Sequence, residues 1–217
     1  MALIDLSHPI EDGMAAYPGL PPARIFTILD HDASRDRYGG RAEFHLGGAE
    51  LAGNTGTYLD APFHRFRDRE DLAAIPLETV VGLPGILVEP DGAKRAVSFE
   101  GVEERSFHGR AVLVRTGWDA RWGSEEYWSD APFLPTAVLE RLIAARVRLV
   151  GVDFGNVDDT GDLSRPAHTG LLGAGIPIVE NLRGLGRLPR EGFVFSAPPL
   201  GIVHGAAFPV RAFAEVS

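Results

Sequence analysis

The chain has no cysteine in its 217 residues. That excludes disulfides, thiolate zinc sites and a cysteine nucleophile. It fits a reducing cytoplasm, the expected location. Positive charge is also scarce: 21 Lys and Arg stand against 30 Asp and Glu, a formal net charge of -9. Nucleic acid is held largely through phosphate neutralisation by Lys and Arg. An acidic chain with no basic run and no aromatic-basic interleaving is therefore expected to have no nucleic-acid partner. No apolar run approaches the roughly 20 residues that span a bilayer, so no membrane partner is expected either. The N-terminus, Met1-Ala2-Leu3-Ile4-Asp5, has no basic stretch followed by a long apolar one, and no signal peptide is expected. No internal repeat, low-complexity tract or linker divides the chain. Residues 1–217 read as one domain, large enough to bury a core without staples.

What is present is ordinary for a globular protein: 45% hydrophobic and 24% charged residues. The 26 Gly and 16 Pro predict many turns and irregular loops. Ala2–Leu6, Arg24–Leu29, Ala42–Leu51, Arg110–Arg115, Val147–Val152 and Ile176–Val179 read as strands. So do the second half of Val80–Val88, Phe193–Pro199 and Val210–Ala214. Asp30–Arg41 holds charges and two Gly without an apolar period and reads as a surface loop. Ser98–Glu104 reads as a short helix start, with Ser98 as its cap. Pro135–Ala145 is the clearest helix, because Val138, Leu139, Leu142 and Ile143 recur at helical spacing. The strand Val147–Val152 follows it directly. Together they read as an α/β unit, with a polar loop, Asp153–Asp159, at the carboxyl end where α/β sites gather. A second short helix is expected at Thr169–Leu172.

One stretch concentrates chemistry: Gly53-Asn54-Thr55-Gly56-Thr57-Tyr58-Leu59-Asp60-Ala61-Pro62-Phe63-His64. Two Gly, an Asn and a Pro in so short a span read as a rigid loop leaving a strand. It carries a carboxylate, Asp60, and an imidazole, His64, four residues apart. Further on, His168 precedes Glu180 across a helix and into a strand end. His, Asp and Glu bind zinc or manganese through nitrogen and oxygen, and the same groups move protons. Asp60, His64, His168 and Glu180 are the candidates to converge. On spacing alone a second reading stands beside this one, in which Asp60 caps the loop backbone and His64 hydrogen-bonds it. His8, His31, His45, His108 and His204 have no chemical neighbour in sequence and read as solvated or core histidines.

The stretch resembles the hallmark of the cyclase family, which includes bacterial kynurenine formamidases and isatin hydrolases. That hallmark runs His-Thr-Gly-Thr-His-x-Asp-Ala-Pro-x-His, and here Asn54 to His64 occupies it. The likeness extends along nearly the whole chain. It takes in Ile4–Ile10, Tyr17-Pro18-Gly19, Leu113–Trp118, Leu149–Asp153, Pro166-Ala167-His168, Ile178–Leu182 and Pro198-Pro199-Leu200. The resemblance implies a compact single α/β domain of the swivelling β/β/α type with a mixed central sheet, assembled as a homodimer or larger homo-oligomer. It implies a divalent metal that activates water for attack on an amide or lactam carbonyl. It matches Asp60 to a bridging metal ligand, His64 to the acid-base histidine, and His168 and Glu180 to second-site ligands. The family's two first-site histidines fall at Asn54 and Tyr58, whose amide and phenol are poor replacements for imidazole on zinc.

Three readings follow. The first is a hydrolase that cleaves a C–N bond in a small aromatic or cyclic metabolite. It holds one metal, zinc or manganese, on Asp60, His168 and Glu180, with His64 as the acid-base group. The second is a metal-independent lyase, dehydratase or cyclase using His64, Asp60 and Tyr58, which needs no cofactor. The third is a non-catalytic relative that binds a small molecule. Tyr17, Phe63 and Asn54 are the residues expected against the substrate, while Trp118 and Phe154 read as core.

Overall fold

The computed structural model describes residues 1–15, 17–90, 95–103 and 106–216. Its frame is a nine-stranded mixed sheet. Four parallel strands form the middle: β5 (Leu83–Val88), β6 (Ala111–Val114), β7 (Leu149–Val152) and β8 (Ile178–Glu180). Antiparallel strands extend it on both sides. Beyond β5 lie β9 (Glu191–Ser196), β11 (Phe213–Val216) and β1 (Ala2–Asp5); beyond β8 lie β4 (Tyr58–Asp60) and β10 (Ala207–Pro209). A separate two-stranded arm pairs β2 (Arg24–Leu29) with β3 (Leu46–Glu50).

The middle strands are buried on both faces, and their side chains alternate between two apolar layers. Leu87 and Leu113 join Leu59, Val179, Leu182, Phe193 and Phe195 on one side. Ile86, Val88, Val112, Val114, Val150 and Val152 face the other. Two helices cover that second face. Helix α2 (Thr136–Ala144) presents Val138, Leu139 and Leu142, and α3 (Pro166–Gly173) presents Leu171 and Leu172. Parallel neighbours need a crossover, and α2 and α3 supply it from β6 to β7 and from β7 to β8.

Three expectations require correction. Residues 31–37 form α1 (His31–Arg37), not a loop. An apolar period is absent there, but Asp30 caps the helix by accepting from Ala33 N at 2.8 Å, Asp32 stands in the first turn, and Arg35 and Arg37 stand in the last. Capping and dipole complementarity build this short helix. Residues 98–103 are a turn, not a helix, and Glu104 lies outside the described residues. Ser98 Oγ accepts from Glu100 N two residues on, at 3.2 Å, which closes a local turn instead of capping a helix. The Gly/Asn/Asp/Pro stretch is not wholly a loop: Tyr58–Asp60 is a fully buried strand paired on both sides.

Where β5 passes β9, the ring of Phe193 lies over Gly85, and a Cβ at that position would overlap it. Glycine here makes room for an aromatic on the neighbouring strand. Overpacking of this kind costs about 1–3 kcal/mol. Gly85→Ala should lower the urea midpoint accordingly with an unchanged slope. An unchanged midpoint would mean that Phe193 swings away freely.

Candidate active site

Strand alternation builds the site. Tyr58 and Asp60 share one face of β4, while Leu59 between them enters the core. In the β4–β8 pairing Tyr58 stands opposite Glu180, so a phenol and two carboxylates come to one spot. All three are almost fully buried. Tyr58 Oη donates to Glu180 Oε2, and Val157 N donates to Glu180 Oε1 at 2.7 Å. Asp60 receives nothing: both its carboxylate oxygens are buried without a hydrogen-bond partner.

His168 enters from the first turn of α3. Its Nδ1 lies 2.6 Å from Asp158 Oδ2. Asp158 also accepts from Ala167 N at 2.6 Å and His168 N at 3.3 Å, so one carboxylate both anchors the start of α3 and fixes the imidazole. The opposite nitrogen, Nε2, then lies 3.8 Å from Asp60 Oδ2 and 3.8 Å from Glu180 Oε1. His64 sits on the one-turn 3-10 helix Pro62–His64 that follows β4, with its Nδ1 3.5 Å from Asp60 Oδ1. The two imidazole centroids are 5.4 Å apart.

Among the described residues, Asp60, His64 and His168 each offer a ligand atom within 4.8 Å of the others. The sequence placed Glu180 in the ligand set with Asp60 and His168. Its Oε1 lies 3.8 Å from His168 Nε2, as near as Asp60 Oδ2, and also accepts from Val157 N, while Oε2 accepts from Tyr58; His64 joins the group from the Asp60 side. A buried, unpartnered carboxylate between two imidazoles is a donor set that suits a divalent cation such as zinc or manganese.

The charges shape each other. Burial, then the carboxylates of Glu180 and Asp60, hold the Tyr58 phenol well above its ordinary value, so it remains a proton donor. Burial and the neighbouring Asp60 push Glu180 up. Burial alone would lower His168, but the bond to Asp158 and the nearness of Asp60 and Glu180 outweigh it and raise the imidazole to about 10. A metal ion on Nε2 would take the place of that proton.

These groups open on a cavity of about 240 Å³ whose lining includes Tyr17, Asn54, Tyr58, His64, His168 and Glu180. Phe63 is not part of it. Its N–H is bonded to Glu70 O at 2.9 Å, and its ring faces His204 at 6.2 Å. Successive side chains in a 3-10 turn diverge by about 120°, which sends Phe63 and His64 to different surroundings. Phe154 is fully buried and Trp118 packs on the core, as expected of them. Asp158, Asn156, Arg65 and Arg165 were not singled out. Asp158 and Asn156 lie in the polar loop after β7, which was the available signal.

The family model described as "Putative cyclase" matches residues 4–159. This chain belongs to the cyclase family. A kynurenine formamidase from Salinibacter ruber is 32% identical over 215 residues, spanning 98% of this chain and 96% of its own. One from Bacillus cereus is 30% identical over 215 residues, spanning 96% and 95%. Among solved structures, isatin hydrolase A from Labrenzia aggregata, bound to benzyl benzoate, superposes with a TM-score of 0.83. It is 26% identical and covers 99% of this chain and 93% of its own. As a cyclase-family member the chain has the compact α/β fold with a mixed sheet that the sequence implied. At the family's motif positions, Asn54 and Tyr58 both reach the cavity, and neither supplies an imidazole.

One wall of this cyclase-family site rests on a histidine that the sequence left unexplained. His8 is buried and stacks on Trp122, centroids 4.0 Å apart and 16° from parallel. Its N–H donates to Thr57 Oγ1, which in turn donates to Asn181 O at 2.6 Å, joining the start of β4 to the end of β8. Burial and then the charge of Arg183 lower His8 from 6.5 to about 4, against a smaller opposing pull from Asp119. Above 6.5 the ring is neutral in folded and unfolded chains alike. Between 6.5 and about 4 only the unfolded chain takes the proton, so stability is lost as the pH falls through that window. From about pH 7 to about pH 4.5, unfolding by urea should show a steeper loss in the wild type than in His8→Gln. Parallel losses would show that His8 titrates normally.

Proposed function

We propose that this chain is a hydrolase cleaving the C–N bond of an amide or lactam in a small aromatic or cyclic metabolite. The observation that carries the reading is Asp60: a fully buried carboxylate, without a hydrogen bond, held between two imidazoles that themselves line a cavity. Relatives named kynurenine formamidase, 32% and 30% identical over nearly the whole chain, support it. Residues 1–217 act as one domain in this reading.

Asp60, His168 and Glu180 would hold one divalent metal, zinc or manganese, which supplies Lewis acidity and a more acidic water and leaves the His64 imidazole free to move protons. The chain's own groups divide the remaining work. Asp158 fixes the His168 tautomer and turns Nε2 inward. Tyr58 holds Glu180 Oε2 and retains its own proton. His64 is the exposed member, its side chain one-third accessible, and is suited to accept a proton from water and return it to the departing nitrogen. Water adds to the carbonyl carbon, the C–N bond breaks, and the products are a carboxylic acid and an amine. Tyr17 and Asn54 flank the bound ring.

A second reading draws on Tyr58 and Asn54, which leave one site of the family pattern without nitrogen donors. A metal-independent lyase, dehydratase or cyclase would use His64 and Asp60 with the Tyr58 phenol as donor.

Elemental analysis of purified, metal-replenished protein discriminates. About one zinc or manganese per chain is expected, falling to trace levels in His168→Ala and Asp60→Asn. Asp60→Asn should also lower kcat/KM for an aryl formamide by about 100-fold or more. Absence of metal with chelator-insensitive turnover would favour the second reading. The protein is taken to work in the cytoplasm as a homodimer or larger. Apolar Ile25, Ile28 and Leu46 exposed on the β2–β3 arm support assembly, and sedimentation should give at least twice the 23.4 kDa chain mass. A monomer at micromolar concentration would refute it.

A further inference from the structure

Besides the residues already given a part, the cavity is lined by Arg65, Asn156 and Arg165. Arg65 is held in place, with Nε on Thr169 Oγ1 at 3.0 Å and Nη2 on Ser164 O at 3.2 Å. Arg165 follows that same Ser164. Its backbone is left-handed, φ 51 and ψ 60, a region that residues with a Cβ rarely adopt. The strain is located where the guanidinium is delivered to the cavity.

The guanidinium itself is incomplete. Arg165 Nη1 is buried and has no hydrogen-bond partner. The carboxylate of Asp162 feels the charge of Arg165 but spends its own oxygen on Ser164 N and Oγ. A buried donor of a charged group left unpaired is costly. Two guanidiniums on one small cavity compound that cost until an anion arrives.

The geometry points to an anion subsite on Arg165, flanked by Arg65 and the amide of Asn156, whose ligand is a carboxylate on the substrate itself. This rests on the hydrolase reading and narrows its substrate to an aryl amide or lactam that carries a carboxylate. A planar guanidinium fork matches a carboxylate in two parallel hydrogen bonds, which a point charge does not. The placement also sorts the substrate. The anion is repelled by Asp60 and Glu180 and drawn to the arginines, which leaves the amide end for Asp60, His64 and His168. The lining continues into a second cavity of about 230 Å³ that shares Tyr17 and Asn156, giving space on that side for a substituent.

The test compares N-formylanthranilate, an aryl formamide with a ring carboxylate, with formanilide, which lacks it. For the wild type, kcat/KM should favour the carboxylate substrate. In Arg165→Gln that preference should fall about 10- to 100-fold, through KM more than kcat, as expected for loss of one charge-assisted hydrogen bond. Arg165→Lys should restore part of it. A preference unchanged in Arg165→Gln overturns the proposal, as does loss of both substrates in equal proportion. If the wild type turns over neither substrate, the hydrolase reading fails separately. Calorimetric titration with benzoate then decides the subsite alone: binding weakened about tenfold or more in Arg165→Gln supports it, and equal binding refutes it.

Discussion

A carboxylate taken out of water must meet hydrogen-bond donors or a cation, and Asp60 meets no donor. The antiparallel register of β4 on β8 makes matters harder by setting Glu180 on the same face, so two buried carboxylates share one neighbourhood. An uncompensated buried charge costs several kcal/mol. The surrounding structure offsets that cost in a chain of contacts. Glu180 is satisfied by a phenol and a backbone amide. His168 brings positive charge within 4 Å of Asp60, and Asp158 stabilises that charge from behind. Asn181, left-handed at φ 58, ties Gly56 and Tyr127 together and fixes the strand ends on which everything else depends.

How much of this was legible in the sequence depends on whether the cause was local. The strand at Ala111–Val114 and the helix at Thr136–Ala144 announce themselves by apolar pattern and are where they were expected. Asp60, His64 and His168 were identified by type and motif, and they do converge. What the sequence hid was set by tertiary pairing. A Gly/Asn/Pro stretch looks like a loop, yet its three central residues are a strand because β8 and β10 pair with it on both sides. That Glu180 accepts from Tyr58, 122 positions away, could not be read from spacing, and only the register reveals it. Phe63 looked like pocket wall because it adjoins His64, but adjacency in a tight turn separates side chains. The helix at His31–Arg37 was missed for a different reason: it is stabilised by its cap and end charges, which an apolar period does not detect.

Tyr58 links these points. A histidine in its place would offer a nitrogen lone pair toward the cavity; a phenol held well above its ordinary pKa offers only a proton. Glu180 takes that proton's hydrogen bond on Oε2, while its Oε1 stays 3.8 Å from His168 Nε2. Tyr58 therefore acts twice, by withholding a ligand of its own and by holding one oxygen of Glu180 across the strand. Asp60, His168 and Glu180 make up the number of protein ligands that would leave a position free for water or substrate on a metal held there.

The cavity that results is polarised. Its lining carries the carboxylate of Glu180, with Asp60 buried behind the two imidazoles, and also includes Arg65 and Arg165. In a space of about 240 Å³ these charges act on a bound molecule at short range, where they are screened less than across open solvent. A neutral ring would feel that field only weakly and would have several ways to lie. A molecule with charge at one end has one low-energy orientation, because reversing it would set carboxylate against carboxylate and leave a guanidinium unpaired. Such orientation lowers the entropy still to be lost in reaching the transition state. The same charge separation that makes the empty site costly is thus what allows so few groups to position a small substrate.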